Sequence, residues 1–238
     1  MVLFSCRRRH RGTSWWSAMP LVAAVTLTLL APSSPAGAAS VDGGALNAPG
    51  ERSHNVMVGW PDLTFTWEGL VKDKMSVGPR LRVQIWPLSL SVGLHMRFTL
   101  LEKGRVALAL VVRPVANVAG FGGSRAVYPL NYQWGRTRTF RPSFGPGVNP
   151  GLLATVDLSP RFRLLVSLEN PIAVWFWLSP VQWWVEWPIV LSGGVEYEIS
   201  YRTSLIARAG GGPSIAFAGF SQLLGINGHL SFGVQVRY

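Results

Sequence analysis

Seven arginines and five carboxylates fall on the same parity within short alternating runs of the chain. They are Arg80, Arg82, Arg97, Arg113, Arg163, Arg208 and Arg237, with Glu68, Asp157, Glu169, Glu196 and Glu198. On one face of a sheet closed on itself, groups of both signs must meet. Guanidinium and carboxylate groups taken out of water are tolerable only when paired and hydrogen-bonded. The first expectation is therefore an interior salt-bridge network that plugs a narrow lumen. The arginine excess supports an alternative, the lining of a small anion-preferring pore. A third reading, lipid-modifying catalysis, needs a histidine beside a serine or carboxylate. Beyond the first fifty residues the histidines are His54, His95 and His229, and Ser91 and Ser231 are serines that parity brings near the last two. None sits in a motif that specifies a reaction, so no catalytic residue is assigned and no enzyme is expected. No histidine pair has metal-ligand spacing with a partner carboxylate, so neither metal nor cofactor is expected.

These charges are carried by runs with a strict period of two. Leu88, Leu90, Val92, Leu94, Met96, Phe98 and Leu100 alternate with Ser89, Ser91, Gly93, His95, Arg97 and Thr99. Such alternation puts one oily and one polar face on a strand, and no helical face fits it. Comparable runs start near Val56, Leu63, Leu81, Val106, Ala154, Phe162, Ile189 and Leu205, with turn signals such as Pro61-Asp62, Lys72-Asp73-Lys74 and Lys103-Gly104-Arg105 between them. With the strand ends around residues 171–187 and the final run, about ten strands are expected. Eight is the alternative if the weak run at Val56–Trp60 is not a strand and the region from Leu63 to Leu100 holds two strands instead of three.

The final run reads Leu230, Phe232, Val234, Val236 and Tyr238 on one parity, with Ser231, Gly233, Gln235 and Arg237 on the other. It resembles the terminal strand of a bacterial outer-membrane β-barrel, in which alternating apolar residues and a terminal aromatic are read by the barrel-assembly machinery. The resemblance implies an all-β, antiparallel up-and-down transmembrane β-barrel, contact with outer-membrane lipids and lipopolysaccharide, and an assembly-signal role for those five residues. It assigns no activity.

The first residues point to the same compartment. Arg7, Arg8, Arg9 and Arg11 precede an apolar run from Leu21 to Ala31 and the small residues Ala36-Gly37-Ala38-Ala39. A basic head, a short greasy middle and a small-residue exit read as a secretory signal peptide over 1–38. Cys6, the single cysteine of 238 residues, lies in that head, so no disulfide is expected beyond it. Residues 39–51, rich in Gly, Ala and Pro, are expected to be a flexible lead-in, and 52–238 the barrel. The chain carries 22 Lys plus Arg against 11 Asp plus Glu. For an exported protein this excess suits lipopolysaccharide phosphates and interior carboxylates, and no nucleic acid is expected.

Two aromatic regions complete the reading. Residues 116–150 lose periodicity, and within 125–141 arginines alternate with Tyr128, Tyr132, Trp134 and Phe140, so a long extracellular connection is expected there. Trp175, Trp177, Trp183, Trp184 and Trp187 are expected as anchors at the membrane interface. Oligomeric state cannot be read from these patterns.

Overall fold

The computed structural model describes residues 41, 43–44, 50–85, 88–119, 142–178, 181–218 and 221–238. These residues form β1 Arg52–Trp60, β2 Asp62–Lys72, β3 Met75–Gln84, β4 Ser89–Lys103, β5 Val106–Ala119 and β6 Ser143–Ser159. They continue as β7 Phe162–Glu169, β8 Ile172–Leu178, β9 Val181–Pro188, β10 Val190–Ser200, β11 Thr203–Ala218 and β12 Ser221–Arg237. The weak run at Val56 is a strand after all, held on both sides by β2 and β12.

The twelve segments make ten staves. β7 and β8 lie end to end against β6, and β9 and β10 lie end to end against β11. Every pairing is antiparallel between sequence neighbours, and β1 closes the ring against β12 from Ser53↔Arg237 to Trp60↔Leu230. Closure removes the exposed edges that an open sheet leaves for stray pairing. At the terminal end, where β1 begins and β12 stops, two-residue turns join β2 to β3, β4 to β5, β6 to β7 and β10 to β11. Gly104 serves the second of these with φ +61°, a backbone state that glycine adopts without strain.

The ladder reaches further than the alternation suggests. β5 runs to Ala119 and β6 begins at Ser143, so much of the stretch expected to be aperiodic is wall. Its inward positions are Ser143, Gly145, Gly147, Asn149 and Gly151, too small to advertise a face, and Pro146 and Pro150 stand among the outward ones. The aromatic, basic stretch 125–141 lies outside the described residues.

Polarity is inverted relative to a water-soluble domain. On the outside, Leu94 is 46% exposed, Phe232 57% and Tyr238 53%, while inside Arg97 and Gln235 are 0% exposed and Arg237 1%. Large aliphatic side chains on the outside have a home only in hydrocarbon, where strands can cross because a closed ladder pairs the backbone groups of neighbouring strands with one another. Among the described residues no helix is long and apolar enough to cross a membrane.

Candidate functional site: the charged interior

Three charged clusters fill the barrel, and the register creates each of them. Near the terminal end, Arg163 on β7 lies directly across from Asp157 on β6 and Glu196 on β10. Opposite charges in facing positions attract along a sheet. Arg163 donates to Glu196 at 3.1 Å and to Glu198 at 2.9 Å, with Asp157 Oδ1 3.2 Å from its Nε. Arg237 Nη2 reaches the same Glu196 oxygen at 3.1 Å and Ser204 at 2.7 Å, and its Nη1 donates to the Tyr201 carbonyl at 3.2 Å. Glu196 is completely buried, so its charge is held by two guanidinium groups instead of water.

The second cluster centres on Glu68, also completely buried. It accepts from Arg97 at 2.5 Å and from the Ser76 hydroxyl, and His95 Nε2 faces its other oxygen at 3.3 Å. His95 Nδ1 in turn accepts from Arg113 Nε at 2.9 Å, which leaves Nε2 to carry the ring proton. Arg113 belongs to the third cluster: Glu169 accepts from Arg113 at 2.6 Å, Arg208 at 2.7 Å and Asn149 at 2.8 Å. His95 thus joins two networks into one. Met57, Leu165 and Ile206, from three different staves, pack together within the barrel.

Part of the lead-in enters this interior, whereas a loose segment was expected. The Val41 N–H donates to Gln235 Oε1 at 2.9 Å, the Gly44 N–H to Thr155 Oγ1 at 2.8 Å, and the Gly43 carbonyl accepts from Arg97 at 2.6 Å. Val41 is 0% exposed. A Cβ on Gly44 would collide with the Ala107 backbone, so only glycine lets the strap lie so close to β5. No periodicity marks a strap of this kind in the sequence. Its glycines were the available signal.

Towards the loop end the interior opens into a cup. One cavity, open to solvent, is lined by Arg80, Arg82 and Asn117 on one wall and by Pro171, Trp175 and Pro188 on another. Arg82 is ion-paired with Asp62. All seven arginines singled out from the sequence therefore lie on the inner face or line the cup, and Glu169, Glu196 and Glu198 are their partners.

The tryptophans divide by parity, which corrects the expectation of a uniform outer belt. Trp183 and Trp187 are 57% and 40% exposed on the outside. Trp175 and Trp184 turn inward, 8% and 5% exposed, and their rings stack at 5.9 Å and 8° across the β8–β9 ladder. Trp175 Nε1 donates to Glu186 at 3.2 Å, giving the indole the polar partner that an inward ring needs. The side chain of Trp177 lies outside the described residues.

At the terminal end Leu230, Phe232, Val234 and Val236 point outward and are 40% exposed or more. Tyr238 ends this row with its hydroxyl 2.6 Å from His54 Nε2 and accepting from Trp67 Nε1 at 3.1 Å. Its backbone exchanges two 3.0 Å hydrogen bonds with Arg52, so the ring is fastened at its last rung.

The histidine–serine pairs suggested by parity do not form as expected. Ser91 donates to Asn117 at 2.6 Å, and the serine that His229 meets is Ser192, at 3.3 Å. Ser192 is buried, 2% exposed. Among the described residues no cluster of three His, Cys, Asp or Glu side chains could hold a metal ion.

A closed ladder, an oily exterior and an ion-paired interior define a membrane-spanning β-barrel. Among solved structures the chain is similar to the outer membrane protease OmpT of Escherichia coli, at 9% identity over 84% of this chain and 100% of that one, with a TM-score of 0.36. It is also similar to Ail, the attachment invasion locus protein of Yersinia pestis, at 12% identity over 80% and 100%, with a TM-score of 0.35. No protein-family model matches the chain, and no curated protein is similar to it in sequence.

Proposed function

We propose that the chain is an integral outer-membrane β-barrel with a structural or surface-interaction role and a plugged, charged lumen. The observation that carries this reading is the inverted polarity: Leu94 and Phe232 exposed, Arg97 and Arg237 sealed. Residues 1–38 act as the export signal, Leu230, Phe232, Val234, Val236 and Tyr238 as the assembly signal, and outer-membrane lipids and lipopolysaccharide as the surroundings. Against the alternative of a narrow anion pore stand the completely buried Glu68 and Glu196 networks and the strap tied between β4, β6 and β12. An ion moving through would have to displace bonded guanidinium groups. Planar-bilayer recordings of the purified barrel are expected to stay silent; discrete ohmic steps of one size would reinstate the pore.

The strap supplies a second check. Gly44→Val places a branched side chain against the Ala107 backbone and expels Val41, Gly43 and Gly44 from their seat. The barrel is expected to remain folded while the backbone at Val41, Gly43 and Gly44 becomes cleavable by protease added at the terminal end. Equal protection of the variant and the parent would show that the seat does not hold the strap.

A further inference from the structure

One rung in the seam between the β7–β8 and β9–β10 staves cannot form its two backbone hydrogen bonds. The β7–β10 ladder ends at Glu169↔Val190, and the β8–β9 ladder resumes at Ala173↔Glu186. Continued between these rungs, the register sets Pro171 opposite Pro188. The Asn170 N–H is turned away from this seam, donating to the Pro150 carbonyl at 2.8 Å, and the Ile189 N–H donates to the Pro213 carbonyl at 2.9 Å. In an antiparallel ladder, facing pairs alternate between bonded and non-bonded. The Pro171–Pro188 rung is therefore the one due to carry two N–H···O bonds, and neither proline has an N–H. Pro150 and Pro213 also withhold the return bond at the two flanking seams. On the outer surface a side-chain bond from the Trp187 indole to Asn170 Oδ1 spans the gap.

The gap lies beside the cup. Pro171, Ile172, Ala173, Trp175 and Pro188 make one apolar wall of the cavity, and Arg80 and Arg82 stand on another. Asp62 engages Nε and Nη2 of Arg82, whose side chain is 28% exposed and lines the cup, so the guanidinium keeps Nη1 as a donor for an anion. The cavity is thus bipolar, and its apolar side adjoins the rung that lacks two backbone bonds.

We propose that this seam admits the hydrocarbon chain of an anionic amphiphile from the membrane. The chain lies along Pro171, Ala173 and Trp175, and the carboxylate or phosphate head meets Arg82 and Arg80. The proposal rests on the membrane-barrel reading above and adds a binding site to it. No bond is made or broken.

The full-length barrel in vesicles is labelled with palmitate, or in parallel with phosphatidylglycerol, each carrying a photoreactive diazirine at the chain end. Cross-linked residues are then mapped by mass spectrometry. The expected result is saturable labelling of Ala173 or Trp175 from inside the cup, reduced about tenfold by Arg82→Gln. Labelling by palmitate alone assigns a carboxylate head, and by phosphatidylglycerol a phosphate head. The route is tested with Asn170→Cys and Ile189→Cys, a facing non-bonded pair in a chain whose single cysteine, Cys6, lies far from the barrel sequence. The oxidised staple is expected to abolish cup labelling and the reduced form to restore it. Where the staple does not form, Pro171→Val with Pro188→Val restores both donors and is expected to lower cup labelling tenfold. Cup labelling unchanged by staple and valines alike overturns the lateral route. Labelling confined to outer residues such as Trp183 overturns the site and leaves the membrane reading standing, whereas no labelling on either face overturns both.

Discussion

Glu196→Ala is expected to destabilise the barrel by about 3–5 kcal/mol, the usual consequence of removing one partner from a buried ion pair. The carboxylate is the shared acceptor of Arg163 and Arg237, which are 2% and 1% exposed, so its loss leaves two guanidinium groups without water or their main counter-charge. Arg163 keeps Asp157 and Glu198, which places the effect towards the lower end of that range. Urea unfolding in detergent micelles, followed by the shift of the heat-modifiable gel band, measures the change. Glu198→Ala is the comparison: its side chain is 18% exposed and it should weaken the barrel much less. If the two variants unfold together with the parent, the interior network does not hold the staves in place.

Leu94→Arg tests the outside with the same force. Leu94 lies within β4 and is 46% exposed on the outer face. Arginine on the lipid face of a barrel costs about 2–4 kcal/mol near the bilayer midplane, whereas surface substitutions in water usually stay within about 0.5 kcal/mol. Folding yield into phosphatidylcholine vesicles should therefore fall sharply for Leu94→Arg. An unimpaired yield would mean that this face does not meet hydrocarbon, and the membrane reading would fall with it.

The contrast between these two sites shows what the sequence makes legible. Parity put Leu94 and Arg97 on opposite faces, because a strand has only two, and the resemblance to an outer-membrane barrel said which of them looks outward. Parity did not reveal that Arg163 would face Glu196 or that His95 would join Glu68 to Arg113. Those contacts depend on register between strands distant in sequence, which local pattern does not encode. Trp184 was misjudged although a signal was present. Glu186, two residues on, shares its face, and a carboxylate that turns inward takes Trp184 with it. Aromatic composition suggested an interface belt, and local parity overruled it. The strap left no periodic trace, because Val41 and Gly44 are held mainly through backbone atoms.

The joining of β1 to β12 also sets the order in which this molecule can be made. The two strands whose pairing completes the circle are the first and the last of the described strands, so the wall stays open until both are in place. A polypeptide cut short before β12 would present β1 and β11 as two unpaired margins, ready to recruit strands from other molecules. Closing the circle therefore waits on β12.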